Sequence, residues 1–89
     1  MATKARYYYK VEAVYDCDGV DFSVDQKLAE VAGEEASDSG FCFGDPIGQR
    51  DLGWYSKTRR EAYELAAQMK EAVSAPGLDI HVNSYPNEE

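Results

Sequence analysis

Few side chains in this sequence could carry chemistry, and their spacing argues against most of it. His81 is the only histidine, and Cys17 and Cys42 stand apart with no CxxC pair. Two thiols and one imidazole lack both the fourth ligand and the spacing of a zinc site, so no metal is expected. Cysteine–histidine catalysis would need one of those thiols within hydrogen-bond reach of His81. No GxSxG elbow, GxxxxGK[ST] loop or GxGxxG turn occurs. Asp16, Asp18 and Asp21 surround Gly19 in the manner of a calcium loop. Counted from Asp16, however, Val20, Asp21 and Lys27 fall where such a loop needs an oxygen ligand, a glycine and a glutamate. These acids fit a turn ahead of a helix N-terminus better. No catalytic residue and no cofactor is expected, and the chain reads as non-enzymatic.

Charge is the second source of chemistry, and it is unevenly placed. The chain carries 17 acids against nine basic residues, a net charge of −8. Between residues 11 and 49 stand Glu12, Asp16, Asp18, Asp21, Asp25, Glu30, Glu34, Glu35, Asp38 and Asp45, opposed only by Lys27. Such a block serves solubility, or it forms a surface complementary to a basic partner that normally holds nucleic acid. Asp16, Asp18, Asp21, Asp25, Glu30, Glu34, Glu35 and Asp38 are the residues expected to meet that partner. Direct binding of nucleic acid is disfavoured, because phosphate neutralisation dominates such affinity and the net sign here is wrong. Arg59 and Arg60, with Arg50 and Lys57 nearby, are candidates for an anion site at the start of a helix.

These residues must be positioned by the elements around them. Tyr7 to Tyr15 alternates as a half-buried strand and ends at Asp16-Cys17-Asp18-Gly19. Ser23-Val24-Asp25-Gln26 has the form of a capping box. Val24, Leu28, Val31 and Ala32 follow at helical spacing, and Gly33 is placed to stop the helix. Residues 34–40 read as a polar loop, and Phe41-Cys42-Phe43 as a short strand. Gly44-Asp45-Pro46-Ile47-Gly48 makes a turn, and Gln49 to Lys57 the returning arm of a hairpin. Thr58-Arg59-Arg60-Glu61 is a second capping box. It opens a helix with Ala62, Leu65, Ala66, Met69, Ala72 and Val73 on one stripe, ended by Ala75-Pro76-Gly77. Leu78 to Asn83 alternates as a last strand, and residues 86–89 read as a disordered, solvated tail.

The order βαββαβ in a single domain predicts an α+β, ferredoxin-like sandwich: a four-stranded antiparallel sheet with two helices on one face. The first and third strands should be central. If Val11, Leu52, Trp54, Ile80 and Val82 face the helices, parity sends Tyr8, Lys10, Glu12, Tyr55, His81 and Tyr85 to the open face. Tyr8 and Tyr55 there are good contact residues for a protein, including a second copy of this chain. Gly53-Trp54-Tyr55-Ser56-Lys57-Thr58, followed by Arg60-Glu61-Ala62, resembles the third strand and second-helix start of RNA-recognition-motif domains. The first-strand motif and basic-aromatic consensus of those domains have no counterpart here, so the resemblance implies shared fold logic rather than nucleic-acid binding.

No apolar run of about 20 residues is present to span a bilayer. The N-terminus leads into tyrosines rather than an apolar signal core. A cytoplasmic protein with free thiols and no membrane contact is therefore expected. The expected function is binding, and inhibition or modulation, of a protein partner with a basic surface. Compact size and acidity resemble, in type only, phage or mobile-element inhibitors of the anti-CRISPR or anti-restriction kind that mimic nucleic acid. The alternative is a ligand-sensing or structural module that self-associates, as a homodimer, through the tyrosine-bearing face.

Overall fold

Alternation in the first strand sets the inside and outside of the whole sheet. The computed structural model describes residues 6–87. In β1 (Arg6–Cys17), Val11, Ala13, Tyr15 and Cys17 are buried, while the residues between them are less so. Val11 lies opposite Trp54 of β3 (Gly48–Ser56) on one side and Val82 of β4 (Asp79–Asn87) on the other. Ala13 likewise sits between Leu52 and Ile80, so one face collects an unbroken row of apolar side chains. With β2 (Asp38–Cys42) paired to β3, the sheet runs β2-β3-β1-β4 and every pairing is antiparallel. This is the ferredoxin-like βαββαβ arrangement, with the first and third strands central.

Two helices cover the apolar face. α1 (Ser23–Ala32) buries Leu28 against the shared core. α2 (Arg59–Ala72) buries Ala62, Ala66 and Met69, with Val73 just beyond its end. Leu65 is only half-buried and Ala72 is exposed, so the stripe is narrower than its sequence pattern. Trp54, the largest buried side chain, donates its indole N–H to the Glu34 carbonyl at 3.0 Å, tying the chain after α1 to the central sheet. Gly33 ends α1 in the left-handed region (φ 79°), where a residue without Cβ is favoured.

Thr58 caps α2: its Oγ1 accepts from the Glu61 amide at 3.1 Å and its hydroxyl lies 3.0 Å from Glu61 Oε1. The box expected at Ser23 does not form. Phe22 occupies the N-cap position of α1 without a side-chain bond, and Asp21 Oδ1 takes the Ser23 amide at 3.0 Å. Asp18 Oδ1 in turn accepts from the Val20 and Asp21 amides at 2.8 and 3.0 Å. Two acids close this turn before the serine can act. Strand limits differ as well. β1 runs on to Cys17, and β4 reaches Asn87, opposite Arg6, so Pro86 and Asn87 are strand rather than tail. β2 begins at Asp38 and stops at Cys42, which leaves Phe43 outside the ladder.

Candidate binding surfaces

The acids expected to act together are dispersed by the fold. Asp25, in the first turn of α1, points to the sheet. Its Oδ1 accepts from the Tyr15 hydroxyl at 2.5 Å, and its Oδ2 lies 2.8 and 3.0 Å from two nitrogens of Arg50. Arg50 also donates to the Gly40 carbonyl at 3.3 Å and stacks 4.8 Å from the Phe22 ring. Burial and donation to Asp25 push the Tyr15 phenol well above the usual tyrosine range. Asp25 is thus committed to an internal pair, and so is the Arg50 expected at an anion site. Asp16 is half-buried at the far end of β1, close to Gly77, with its amide on the Pro76 carbonyl. Asp18 and Asp21 are exposed, and the backbone amides they accept hold both carboxyls below the ordinary range. Glu30, Glu34 and Glu35 are exposed on α1 and just after it. No ion pair engages them among the described residues.

Asp38 falls on the opposite side. Register places it beside Gly53, on the face away from the helices, with Glu12 on the next strand. Lys10 crosses that glycine: its Nζ lies 3.2 Å from Asp38 Oδ2 and 3.4 Å from Glu12 Oε2. A Cβ added at Gly53 would collide with the Lys10 stem, so the missing side chain opens the path across β3. Burial disfavours the ammonium, but the Asp38 hydrogen bond and the charge of Glu12 outweigh it and hold Lys10 above the ordinary lysine range. The Tyr55 hydroxyl donates to Asp38 Oδ2 at 2.5 Å; that bond raises the phenol and, together with Lys10, lowers the Asp38 carboxyl. Glu12 Oε1 also meets Asn83 and the His81 Nε2, the latter at 3.0 Å, and His81 Nδ1 lies 3.1 Å from Asp79. Above this network Tyr8 stacks on Tyr85 (centroids 5.5 Å) and meets Tyr55 edge-on (5.4 Å). The parity argument placed these tyrosines correctly. Their hydroxyl and cation partners were not visible in sequence.

The remaining candidates separate. Cys17 is buried on the helix side, whereas Cys42 is exposed on the other face, so the two thiols cannot meet. Cys42 and His81 lie on opposite edge strands, three strand spacings of about 4.8 Å apart. Arg60 pairs with Glu64 at 3.3 Å and Arg59 stacks on Tyr63, so no cation cluster converges at the start of α2. Among the described residues no group of three or more His, Cys, Asp or Glu is placed to hold a metal. Nor, among the described residues, is any helix long and apolar enough to cross a membrane.

One surface went unread in the sequence. The β1–α1 turn and the β2–β3 hairpin tip bring Val20, Phe22, Phe41, Phe43 and Ile47 to the same end of the molecule. Phe41 meets Phe22 and Phe43 edge-on, with centroids 6.2 and 4.9 Å away. Phe43 is 91% exposed and Val20 83%. The signal was present, since Phe43 stands next to Gly44 where strand pairing is about to end, but an apolar residue there reads equally as core.

No protein-family model, curated protein or solved structure matches this chain.

Proposed function

We propose that the chain is a non-enzymatic binding protein that inhibits or modulates a protein partner bearing a basic surface. One observation carries this reading. Glu30, Glu34 and Glu35 are exposed and unpaired among the described residues, in the last turn of α1 and just after it, Asp18 and Asp21 are exposed just before it, and between residues 18 and 35 Lys27 is the only basic residue. An uncompensated acidic side of this kind speeds encounter with a cationic surface and selects against anionic ones. Inhibitors of the anti-CRISPR or anti-restriction type, which imitate nucleic acid, share this small size and acidity, and they define the class of partner to test first.

Capture of the partner from native cells, identified by mass spectrometry, supplies the ligand for the decisive measurement. Glu30→Lys, Glu34→Lys and Glu35→Lys together should weaken binding at least tenfold at low salt, with the loss shrinking as salt screens the field to about 8 Å at 0.15 M. The fold should survive, because all three side chains are exposed and cations suit a helix C-terminus. Asp25 is left out of the variant because its loss would break the Arg50 pair. Unchanged affinity with no salt dependence would end the acidic-surface reading. The runner-up, self-association through the open face, is favoured by the Tyr8–Tyr55–Tyr85 row, with Tyr55 42% exposed. Light scattering that shows a monomer would remove it.

A further inference from the structure

Resting on the reading that the partner is a basic protein, we infer that the aromatic tip formed by Phe22, Phe41, Phe43 and Ile47 is the anchor of that contact. The partner segment it fits presents an apolar side chain set among lysines or arginines. Contiguous exposed apolar surface marks interaction sites on soluble proteins. Here it comes from two separate loops, with Phe43 91%, Ile47 44% and Phe22 37% exposed. Phe41, on which Phe22 and Phe43 both rest edge-on, is held in place before any partner arrives. Phe41 packs so closely on Gly48 that a Cβ there would come within 2.8 Å of its ring, and one at Gly19 within 3.2 Å. Rigid aromatic anchors lose little conformational entropy on binding, which is why such residues dominate interface energetics.

Charge selects the occupant. The two loops, residues 18–22 and 43–47, carry Asp18, Asp21 and Asp45 and no basic residue. Facing two tips of this chain would oppose carboxylates to carboxylates, which disfavours a second copy, and nucleic acid is disfavoured for the same reason. A cationic protein surface with an apolar centre satisfies both the rings and their rim. Phe22 of the tip also borders an open cavity of about 440 Å³ between α1 and the β2–β3 arm, whose wall mixes Ala29, Ala36 and Leu52 with Gln26, Glu35 and Ser39. That volume accepts an apolar side chain, and Arg50 within it is already neutralised by Asp25.

The test uses the whole chain and two synthetic peptides of equal charge, one alternating lysine with leucine and one lysine with serine. Binding is followed by isotope-edited NMR titration at about 0.15 M salt. The lysine–leucine peptide should bind at least tenfold more tightly and shift the amides of residues 20–22, 41–43 and 47. Phe43→Ser removes a side chain that supports no core contact, so the fold is retained, and it should abolish the advantage of the leucine peptide while leaving the serine peptide unaffected. Equal affinities for the two peptides, or an unchanged leucine advantage in Phe43→Ser, would overturn the tip as anchor and leave the acidic-surface reading standing. Binding of neither peptide would overturn both. A dimer of the free chain that Phe43→Ser dissolves would assign the tip to a second copy and overturn the inference.

Discussion

Two clusters of nearly the same composition sit on opposite faces of one sheet, and they have different consequences. Under α1, Asp25 joins Arg50 and Tyr15; on the open face, Asp38 joins Lys10 and Tyr55. Each is an aspartate, a cation and a tyrosine hydroxyl, with the tyrosine bond at 2.5 Å in both. The inner aspartate side chain is 22% exposed and the outer 51%. The inner cluster links a helix to the sheet, so removing one member strands the others where water reaches them poorly. Its outer counterpart links strands already joined by backbone hydrogen bonds, and water can replace any member. The number of carboxylates in a sequence therefore says little about how many are available to a partner.

The largest effect should come from breaking the inner cluster. Asp25→Ala leaves the Arg50 guanidinium and the Tyr15 hydroxyl without their acceptor, and a loss of about 2–3 kcal/mol is expected. Asp38→Ala, on the outside, should cost far less, because water screens and replaces an exposed ion pair. Urea unfolding of the two variants side by side checks the contrast. Equal losses would mean that the helix does not depend on the Asp25–Arg50 link.

How far the sequence carried this picture depends on the range of the interactions involved. Strand parity and helix stripes are local, so the positions of Val11, Trp54 and Ile80, the Thr58 cap and the central place of β1 and β3 were all legible. Asp25 and Arg50 are 25 residues apart, and nothing in either neighbourhood signals the other. Asp38-Ser39-Gly40 has loop composition and becomes a strand only because β3 offers it a free edge. Ser23 lost its capping role to Asp21, two residues earlier and equally able to accept an amide. Phe43 was read as strand because apolar character does not mark where pairing stops, and the ladder ends one residue earlier, at Cys42.

A smaller, pH-dependent effect sharpens the contrast. The folded Tyr15 phenol lies above its ordinary value of about 10, so below that pH its contribution to stability is fully present. As pH rises past 10 the unfolded chain loses the proton that folded Tyr15 retains, and stability falls. Raised Lys10 acts in the same direction above its ordinary value of 10.5. Asp38, held low, adds a term of opposite sense: present above the ordinary carboxylate range and lost as pH falls through its folded value. Tyr15→Phe should therefore flatten the alkaline limb of stability against pH and leave the acid limb alone, whereas Asp38→Asn should flatten the acid limb. An alkaline limb unchanged in Tyr15→Phe would remove Tyr15 as its source.

The smallest effect should come from Gly53→Ala, and it isolates the outer cluster from the fold. Gly53 lies between Glu12 and Asp38 in register, directly beneath the Lys10 stem. The new methyl group points to the open face, so the core below is untouched. A lysine chain is flexible, and it should swing aside before the backbone moves. The Lys10–Asp38 contact is then lost while the Tyr55 bond to Asp38 remains. Losing a screened ion pair costs little, and replacing glycine in a strand returns a gain of similar small size. The two nearly cancel, so unfolding alone would miss the change. The titration of Asp38 should still report it: without the ammonium its carboxyl should rise toward the ordinary aspartate value, though not reach it, because the first cause of its depression is the Tyr55 hydroxyl. NMR-detected titration of Asp38 in wild type and variant makes the measurement. An unshifted Asp38 would show that Lys10 does not need the gap at Gly53 to cross β3, and that the outer cluster is held together by its tyrosine alone.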